Sequence, residues 1–437
     1  MLFAEHLMFA AGFGFPDSLS ANGGATLVIC CLAIIGAFFA VVALPFGKRY
    51  VPLPGNAQRT LWICFLGALA LALVSGFVHD YRAYMSQWGL AILGKDPWLP
   101  AFGNAYGPLY NVLAYAYDIQ KYLPKLIFVL AWFVSVAFLY RECYRREVDQ
   151  RLRTVVLGVA LSPLFYILVA VYGTFDVLVG AICLLAQWFL LQKRPASAGA
   201  ALAAAVLLKY YPAVLLPVFL IAAGRRAPRL IAGFAAVVVA VMVPTVAKWG
   251  DSFLEPLLFA EDREAKSSSI FKFLDGRYSP LRIFDSPPEI SPYSHIVMVI
   301  AVLVCLYVIY RLKIQPVVAA PLILLTALTF YRVGHSQFQI PVFFLYLYAF
   351  IEVSGRVRPA KTIRAFVVYV AFHNLLVVGY AFTGYLNGSI ADGFSGDWEF
   401  IRDLSGLPAL LLSIWLVVET VRETGFRESA EAAATTK

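Results

Sequence analysis

The chain has 437 residues, of which 61% are hydrophobic and only 14% are charged, and its formal net charge is +9. This composition, with a mean hydropathy of +0.77, excludes an ordinary soluble domain. Apolar runs of about 17 to 25 residues recur from end to end, and each can cross the hydrocarbon core as a helix. The sequence therefore predicts an all-α, polytopic transmembrane bundle and not a β-barrel, whose segments would be short and alternating.

Apolar segments, taken in chain order, predict about thirteen membrane crossings in one transmembrane domain. Single spans are predicted at 25–46, 60–78, 125–141, 154–172, 174–192, 229–248, 294–312, 316–332, 338–354, 364–384 and 405–421, and a broken pair of short helices within 197–224. The domain divides into an extra N-terminal span and loop (25–58), a central part (59–354), C-terminal spans (355–421) and a tail (422–437). The features that indicate function lie in the central part.

The basic residues predict how these helices are oriented. Lys and Arg gather in alternate short loops, above all in the run RECYRREVDQRLR from Arg141 to Arg153 and around Arg225 and Arg311. Because positive residues favour the cytoplasmic side, these loops and the C-terminal tail are predicted to be cytoplasmic and the N-terminus to lie outside. The expected location is the plasma (inner) membrane. The net charge thus reflects topology and does not indicate a nucleic-acid partner.

Two segments on the predicted outer side are too long to be simple connections. The first, 79–124, has an amphipathic stretch from Tyr81 to Leu93, which predicts short helices lying on the membrane. The second, 249–292, mixes charges with the runs SSS and SPP. Long loops with their own patterning tend to carry function, although interfacial belts alone explain most of the Tyr and Trp content.

Ionisable residues within the spans or at their ends give a sharper signal, because a charge in hydrocarbon is costly and usually faces a cavity. They are Asp80 at the end of 60–78, Asp176 at the start of 174–192, Lys209 in the broken pair, and Arg332 with His335 after 316–332. Simpler explanations are open for three of them. Asp80 can be an interfacial helix end, Asp176 a first-turn carboxylate stabilised by the helix dipole, and His335 an interfacial histidine.

The broken pair predicts irregular backbone within the membrane. Too few residues separate Arg194 from Arg225 for two full crossings at about 1.5 Å of rise per residue, and Pro212 interrupts the run between them. Two short helices should therefore meet at the KYYP sequence that begins with Lys209, where such backbone lines a cavity or is buried in protein. The alternative is a re-entrant packing element whose lysine extends toward the interface.

Five short motifs follow one another along the central part of the chain. They are HDYRAYMSQWGLAILGKDPW, YGPLYNVLAY, GTFDVLVGAICLLAQWFL, LLKYYPAVLLPVFL and GHSQFQIPVFFLYLY. Together they resemble the GT-C class of integral membrane glycosyltransferases, most of all glycosyltransferase family 87 and the related mannosyltransferase of GPI-anchor synthesis. The resemblance covers roughly residues 60–350. It implies transfer of a sugar, such as mannose or another hexose or pentose, from a polyprenyl-phosphate donor to a lipid-linked or glycan acceptor at the non-cytoplasmic face.

The resemblance also implies roles for particular residues. Asp80 matches the catalytic aspartate of the first outer loop, and His335 matches a later loop histidine near the donor phosphate. The KYYP sequence at Lys209 matches the lysine-tyrosine-proline segment of the re-entrant pair. Several GT-C families have two acidic residues where this first loop has one, which leaves dependence on a divalent metal open, and no cofactor is predicted. No pair among the six cysteines has zinc spacing.

The chemistry of such a transfer fits the same residues. It needs a base for the acceptor hydroxyl, which Asp80 can supply, and a single displacement would invert the anomeric centre. Cations must stabilise the leaving phosphate, and the candidates are Lys209, Arg332 and His335. Side chains suited to a sugar or an acceptor are Tyr81, Tyr84, Trp88, Tyr106, Asp176 and Gln337. Asp80, Lys209 and His335 are therefore expected to converge on one cavity that is open to lipid.

Two other functions are open at this stage. A transporter or flippase of lipid-linked sugars also uses broken helices and intramembrane charges, although no repeat relates the halves of this chain. A polymerase or ligase of surface polysaccharide shares the donor and relies on arginine-rich outer loops, for which Arg263, Arg277 and Arg282 are candidates.

Overall fold

The structure, a computed structural model, describes residues 57–77, 79–99, 106–262, 264–275, 290–354, 359–386 and 404–435. The predicted first span, 25–46, lies outside these residues, as do Arg263, Arg277 and Arg282. Within the described ranges the chain is almost entirely helical, and its strands are two residues long. The prediction of an all-α membrane protein is confirmed.

The elements are labelled in chain order. The α-helices are α1 (Ala57–Val74), α2 (His79–Ile92), α3 (Leu113–Ile119), α4 (Leu123–Arg145), α5 (Gln150–Ala160), α6 (Pro163–Phe165), α7 (Asp176–Leu191), α8 (Pro195–Leu208), α9 (Leu216–Ala223), α10 (Ala227–Trp249), α11 (Glu255–Asp262), α12 (Ile270–Asp275), α13 (Ser294–Arg311), α14 (Pro316–Thr329), α15 (Ile340–Val353), α16 (Ala360–Leu386) and α17 (Gly406–Thr435). The 3-10 helices are Pro108–Val112, Tyr211–Leu215, Gly224–Arg226, Ser252–Leu254, Ser291–Tyr293 and Ser336–Gln339, and a π-helix spans Tyr166–Val171. The strands are β1 (Lys266–Ser267) and β2 (Val333–Gly334).

Several of these helices have the length and composition of membrane spans. Within the described part of the chain six runs qualify: Leu123–Arg145, Gln150–Val171, Tyr211–Trp249, Ser294–Arg311, Ser336–Val353 and Ala360–Gly379. Shorter apolar helices are Arg59–Val74, Asp176–Leu191, Pro195–Leu208 and Pro316–Thr329. These runs fall on the apolar segments predicted from the sequence, while the number of crossings and their orientation stay predictions.

The core lies around α15, in which every residue except Glu352 is buried. Helices α7 and α14 pack against it, and α8 packs against both α7 and α10. Two glycines permit the contact between α8 and α10, because a Cβ at Gly199 would strike the carbonyl of Leu230 and one at Gly233 would strike the carbonyl of Ala196. Small residues allow such close approach between membrane helices. Helix α10 buries little beyond this contact, which suits a lipid-facing position.

The boundary near Asp80 differs from the prediction. Helix α1 ends at Val74, and Gly76 follows with a φ of 63°, a conformation that glycine adopts at little cost. Asp80 then lies in the first turn of α2, so the prediction that it closes the span 60–78 is wrong. The helix predicted from Tyr81 onward is confirmed, since α2 continues to Ile92.

The predicted helix break in 197–224 is confirmed. Helix α8 ends at Leu208, Lys209 is extended with a φ of −157°, and a 3-10 helix begins at Tyr211. Pro212 lies in the first turn of that 3-10 helix, where a proline is tolerated because the missing N–H would have no helical partner. The chain therefore reverses at Lys209 and returns through α9.

A short strand pairing connects distant parts of the chain. β1 and β2 are parallel, with Lys266 opposite Val333 and Ser267 opposite Gly334. A side chain at Gly334 would strike the backbone of Ser268, which explains the glycine at this position. The pairing brings the second outer segment onto the residues that lead into His335.

Candidate functional site

Asp80 and His335 line one polar cavity of about 420 Å³. This volume lies within the range of small-molecule pockets, about 300–1,000 Å³. Its wall consists of Asp80, Leu168, Tyr172, Glu264, Ala265, Lys266, Ser267, Ser268, Lys272, Gly334, His335, Ser336, Gln337, Leu376, Val377 and Ser405. Residues from both predicted outer segments therefore meet here, together with the segment before α15.

The start of α2, which carries Asp80, is held by a buried lysine. Lys125 Nζ donates hydrogen bonds to Ser75 Oγ at 2.6 Å and to the carbonyl of Gly76 at 2.9 Å, and its side chain is fully buried. The Tyr81 hydroxyl adds a bond to the carbonyl of Lys121 at 2.8 Å. The turn between α1 and α2 is thus fixed to the start of α4, and Asp80 is fixed with it.

Lys125 is a residue that the sequence reasoning missed. It lies at the start of a predicted span, where a lysine resembles an ordinary interfacial residue. Nothing in its neighbourhood in sequence indicates that its ammonium group turns inward to cap the end of α1 at Gly76. The sequence would have indicated a positioning role only if this lysine lay in the middle of a span, far from any predicted loop.

If Asp80 acts as the base that the sequence predicts, Lys125→Met should lower turnover about tenfold or more with little change in donor affinity, because a small misplacement of a catalytic group is costly. Methionine keeps the length and apolar stem of the side chain and removes both hydrogen bonds. Lys125→Arg retains donors and should recover part of the turnover, and the exposed Lys121 provides the control Lys121→Met. Turnover and a separate donor-binding measurement test this, and a loss of donor affinity with normal turnover would contradict it.

His335 is oriented by the second outer segment. Ser267 Oγ lies 2.7 Å from His335 Nδ1, and the backbone of Ser267 has a φ of 57°, which is uncommon for a residue other than glycine. The next residue, Ser336, lies with its Oγ 3.0 Å from Nδ1 of the buried His373. Strained backbone concentrates at functional sites, and here it places a hydroxyl against the imidazole. The SSS run that begins at Ser267 was noted in the sequence, but its contact with His335 was not predicted.

Further charged residues reach the cavity from the same segment. Glu264, Lys266 and Lys272 line it, and none of them was selected from the sequence. They were missed because they lie in a segment without a recognisable motif, and the pairing of β1 with β2 brings this segment beside His335. The cavity thus combines two carboxylates with several cationic or neutral hydrogen-bond donors.

Lys209 lies behind this cavity in a buried ion pair. Its Nζ is 2.8 Å from Asp176 Oδ1, and both side chains are buried. The Tyr211 hydroxyl donates to the same Asp176 oxygen at 3.3 Å. The ammonium also lies 4.0 Å from the ring centroid of Phe338, and the Phe338 and His335 ring centroids are 5.5 Å apart. Lys209 and Asp176 therefore adjoin the His335 region but are not among the described residues that line the cavity.

The other predicted site residues occupy different environments. Gln337 lines the cavity, but Arg332 is not among the described residues of its wall. Arg332 is buried, and its Nε donates a hydrogen bond to Ser294 Oγ at 2.9 Å. Its backbone carbonyl accepts from Lys266, so it contributes to the strand pairing.

The aromatic residues of the first outer segment form a packed cluster. Tyr81, Tyr84 and Trp88 are fully buried, with ring centroids of Tyr84 and Trp88 5.9 Å apart. Tyr106 packs on Tyr84 at 5.1 Å. Burial raises the pKa of the Tyr84 phenol well above its usual range, so this hydroxyl stays protonated. The cluster supports α2 beneath Asp80, and its roles toward a sugar stay predictions.

A comparison with protein families adds an independent finding. The model of glycosyltransferase family 87 matches residues 105–329. The chain belongs to glycosyltransferase family 87. With its apolar helices, it is a membrane glycosyltransferase. The family 87 match is narrower than the resemblance over 60–350, since it includes Asp176 and Lys209 but neither Asp80 nor His335. No curated protein sequence matches the chain.

Among the described residues, no three His, Cys, Asp or Glu side chains are grouped so that they could hold a metal ion.

Proposed function

We propose that this family 87 protein transfers a sugar from a polyprenyl-phosphate donor to a lipid-linked or glycan acceptor. The observation that carries the proposal is the joint presence of Asp80 and His335 on one polar cavity. One carboxylate and one imidazole on the same wall supply a base and a phosphate ligand, the two functions that such a transfer needs. The resemblance of the sequence motifs supports a mannose or another hexose or pentose as the sugar.

In the proposed reaction the carboxylate of Asp80 takes the proton of the acceptor hydroxyl. The acceptor oxygen forms a bond to the anomeric carbon while the bond from that carbon to the phosphate oxygen breaks. The leaving phosphate retains the electron pair, and its charge is stabilised by His335 with Lys266 and Lys272. A single displacement of this kind inverts the anomeric configuration.

The contacts of the other cations support different roles from those proposed from the sequence. The positive charge of Lys209 is already compensated by Asp176, and the Arg332 guanidinium donates to Ser294. The residues that contact the phosphate directly are therefore proposed to be those of the cavity wall. Lys209 then acts as a positioning residue, because its ammonium packs on Phe338 beside His335. Because both side chains are buried, loss of either one would leave the charge of the other uncompensated beside the break between α8 and the following 3-10 helix.

We further propose that the cavity opens on the non-cytoplasmic side of the plasma membrane. The positive-inside rule supports this orientation. The opposite ends of α4, α10 and α13 contact Ser75, Lys95 and Arg332, so the basic loops at Arg141–Arg153, Arg225 and Arg311 adjoin the helix ends that lie away from these contacts. A donor with a lipid tail would then approach from the bilayer and a polar acceptor from the outside.

The decisive experiment is a transfer assay with the purified protein in lipid nanodiscs. Labelled polyprenyl-phosphate mannose and polyprenyl-phosphate arabinose are offered with a crude lipid-linked acceptor fraction, beside nucleotide sugars as controls. Transfer from a polyprenyl-phosphate sugar with inverted configuration is the expected result. Transfer only from nucleotide sugars, or movement of the donor across vesicles without transfer, would contradict the proposal.

His335→Ala should lower donor affinity and turnover together, each by about tenfold or more, because a donor to phosphate is lost in both the bound state and the transition state. Binding of polyprenyl phosphate and turnover are both measured. The control is His295→Ala, which changes an exposed histidine in the first turn of α13. Unchanged polyprenyl-phosphate binding would remove His335 as a phosphate ligand.

A further inference from the structure

A second, apolar groove lies between α1 and α4 and is lined by other residues than the cavity of Asp80 and His335. It has a volume of about 660 Å³ and is referred to below as the α1–α4 groove. Its lining residues are Leu61, Trp62, Phe65, Leu130, Phe133, Val134, Ala137, Tyr140 and Tyr144. The rings of Phe65 and Phe133 close its floor with centroids 5.1 Å apart, while Trp62 and Val134 are more than half exposed. An apolar, open slot of this kind accommodates a hydrocarbon chain.

The groove extends from the middle of the helix pair to the end opposite Asp80. Lys125 at the start of α4 contacts Ser75 just beyond the end of α1, so the two helices run antiparallel. The groove residues Leu61 and Tyr144 come from the other ends of the same helices. At about 1.5 Å of rise per residue, Tyr144 lies some 28 Å along α4 from Lys125, and Leu130, the lining residue nearest to that end, lies some 8 Å from it. None of the described residues that line the groove also lines the cavity of Asp80 and His335.

The groove ends in polar and cationic groups. The Tyr140 hydroxyl donates to the Tyr144 hydroxyl at 2.9 Å. The guanidinium carbon of Arg153 lies 4.4 Å from the centroid of the Tyr144 ring, which fixes the group in a cation–π contact. Arg153 Nε is buried and has no hydrogen-bond partner among the described residues. A buried donor without a partner is costly, so this atom indicates a ligand.

The charge around this end favours an anion. Arg145 is paired with Glu142, and Arg146 with Glu352, but Arg153 forms no ion pair with a described carboxylate. A guanidinium matches a phosphate in both geometry and charge. The positive-inside rule assigns this end to the cytoplasmic leaflet, where anionic lipids bind basic pockets between membrane helices.

We propose that the α1–α4 groove binds one anionic phospholipid of the bilayer. An acyl chain lies along the apolar wall between Trp62 and Val134, and the headgroup phosphate accepts hydrogen bonds from Arg153. The bound lipid would join α1 to α4 and α5 at the end where protein contacts leave an open slot. The site thus requires both parts of one molecule, a hydrocarbon chain and a phosphate.

The test uses the full-length protein in detergent, with bound lipids followed by native mass spectrometry. Wild type should retain one phosphatidylglycerol in preference to phosphatidylcholine. Arg153→Gln should weaken phosphatidylglycerol binding at least about tenfold, the loss expected for one charge-assisted hydrogen bond, and remove the preference. Ala137→Trp, which fills the groove, should lower retention of both lipids. Arg311→Gln removes the same charge at the end of α13 and should bind as wild type does.

A photo-crosslinking residue at Val134, introduced in the full chain in its native membrane, identifies the occupant directly. Crosslinks to phospholipid support the proposal. Crosslinks to another segment of the protein itself would overturn it, because the groove would then be an internal packing surface. One-for-one displacement of phosphatidylglycerol by polyprenyl phosphate would also overturn it, as would wild-type affinity in Arg153→Gln.

Discussion

Asp80→Asn should reduce turnover by about two orders of magnitude or more while leaving donor binding nearly unchanged. Asparagine keeps the shape and hydrogen-bonding reach of the side chain but cannot accept the proton of the acceptor hydroxyl. Because that proton moves only in the transition state, the loss should appear in turnover and not in affinity. The measurement is a transfer assay with a polyprenyl-phosphate sugar, run beside direct binding of the same donor.

The control for this substitution is Asp118→Asn, which makes the same chemical change at an exposed residue of the first outer segment. Asp118 does not belong to the described cavity wall, so its variant should work at the wild-type rate. Near-normal turnover in Asp80→Asn would remove Asp80 as the base. The role would then pass to Glu264, the other carboxylate among the described residues of the wall.

Lys209→Met should destabilise the protein strongly, by about 3–5 kcal/mol, because it leaves the carboxylate of Asp176 buried without its counter-charge. The pair has an N–O distance of 2.8 Å, and Asp176 is completely buried. Combining Lys209→Met with Asp176→Asn removes the uncompensated charge, so the double variant should recover much of the lost stability. The free energies of unfolding of the single and double variants complete a double-mutant cycle.

A matched control comes from an exposed pair. Arg422 lies 3.6 Å from Glu419 and is 64% exposed, so Arg422→Met should change the free energy of unfolding by at most about 1 kcal/mol. If Lys209→Met were as mild as this control and instead weakened donor binding alone, Lys209 would be a phosphate ligand and not a structural partner of Asp176. Comparison of the two variants therefore separates the role proposed from the structure from the role proposed from the sequence.

Much of the helical framework was predictable from the sequence, because it depends on local properties. A long apolar run must form a helix in hydrocarbon, where no water satisfies the backbone polar groups. The break at Lys209 follows from Pro212 and from the short interval between basic loops, and the start of α7 at Asp176 follows from the carboxylate at the head of an apolar run. The family, too, was recognisable from ordered motifs, and the match over 105–329 confirms it.

The composition of the cavity was decided only by the tertiary structure. Asp80 and His335 share one wall because the chain folds back over more than half its length, and Ser267 meets His335 through a strand pairing of two residues. Contacts of this kind join segments far apart in sequence and leave no local pattern. The sequence identified the ionisable residues worth attention, but a lysine that binds phosphate and a lysine that neutralises a buried carboxylate have the same local context. Packing assigns Lys209 to Asp176 and Lys125 to the turn before Asp80, since each buried ammonium group must lie where oxygen atoms compensate it.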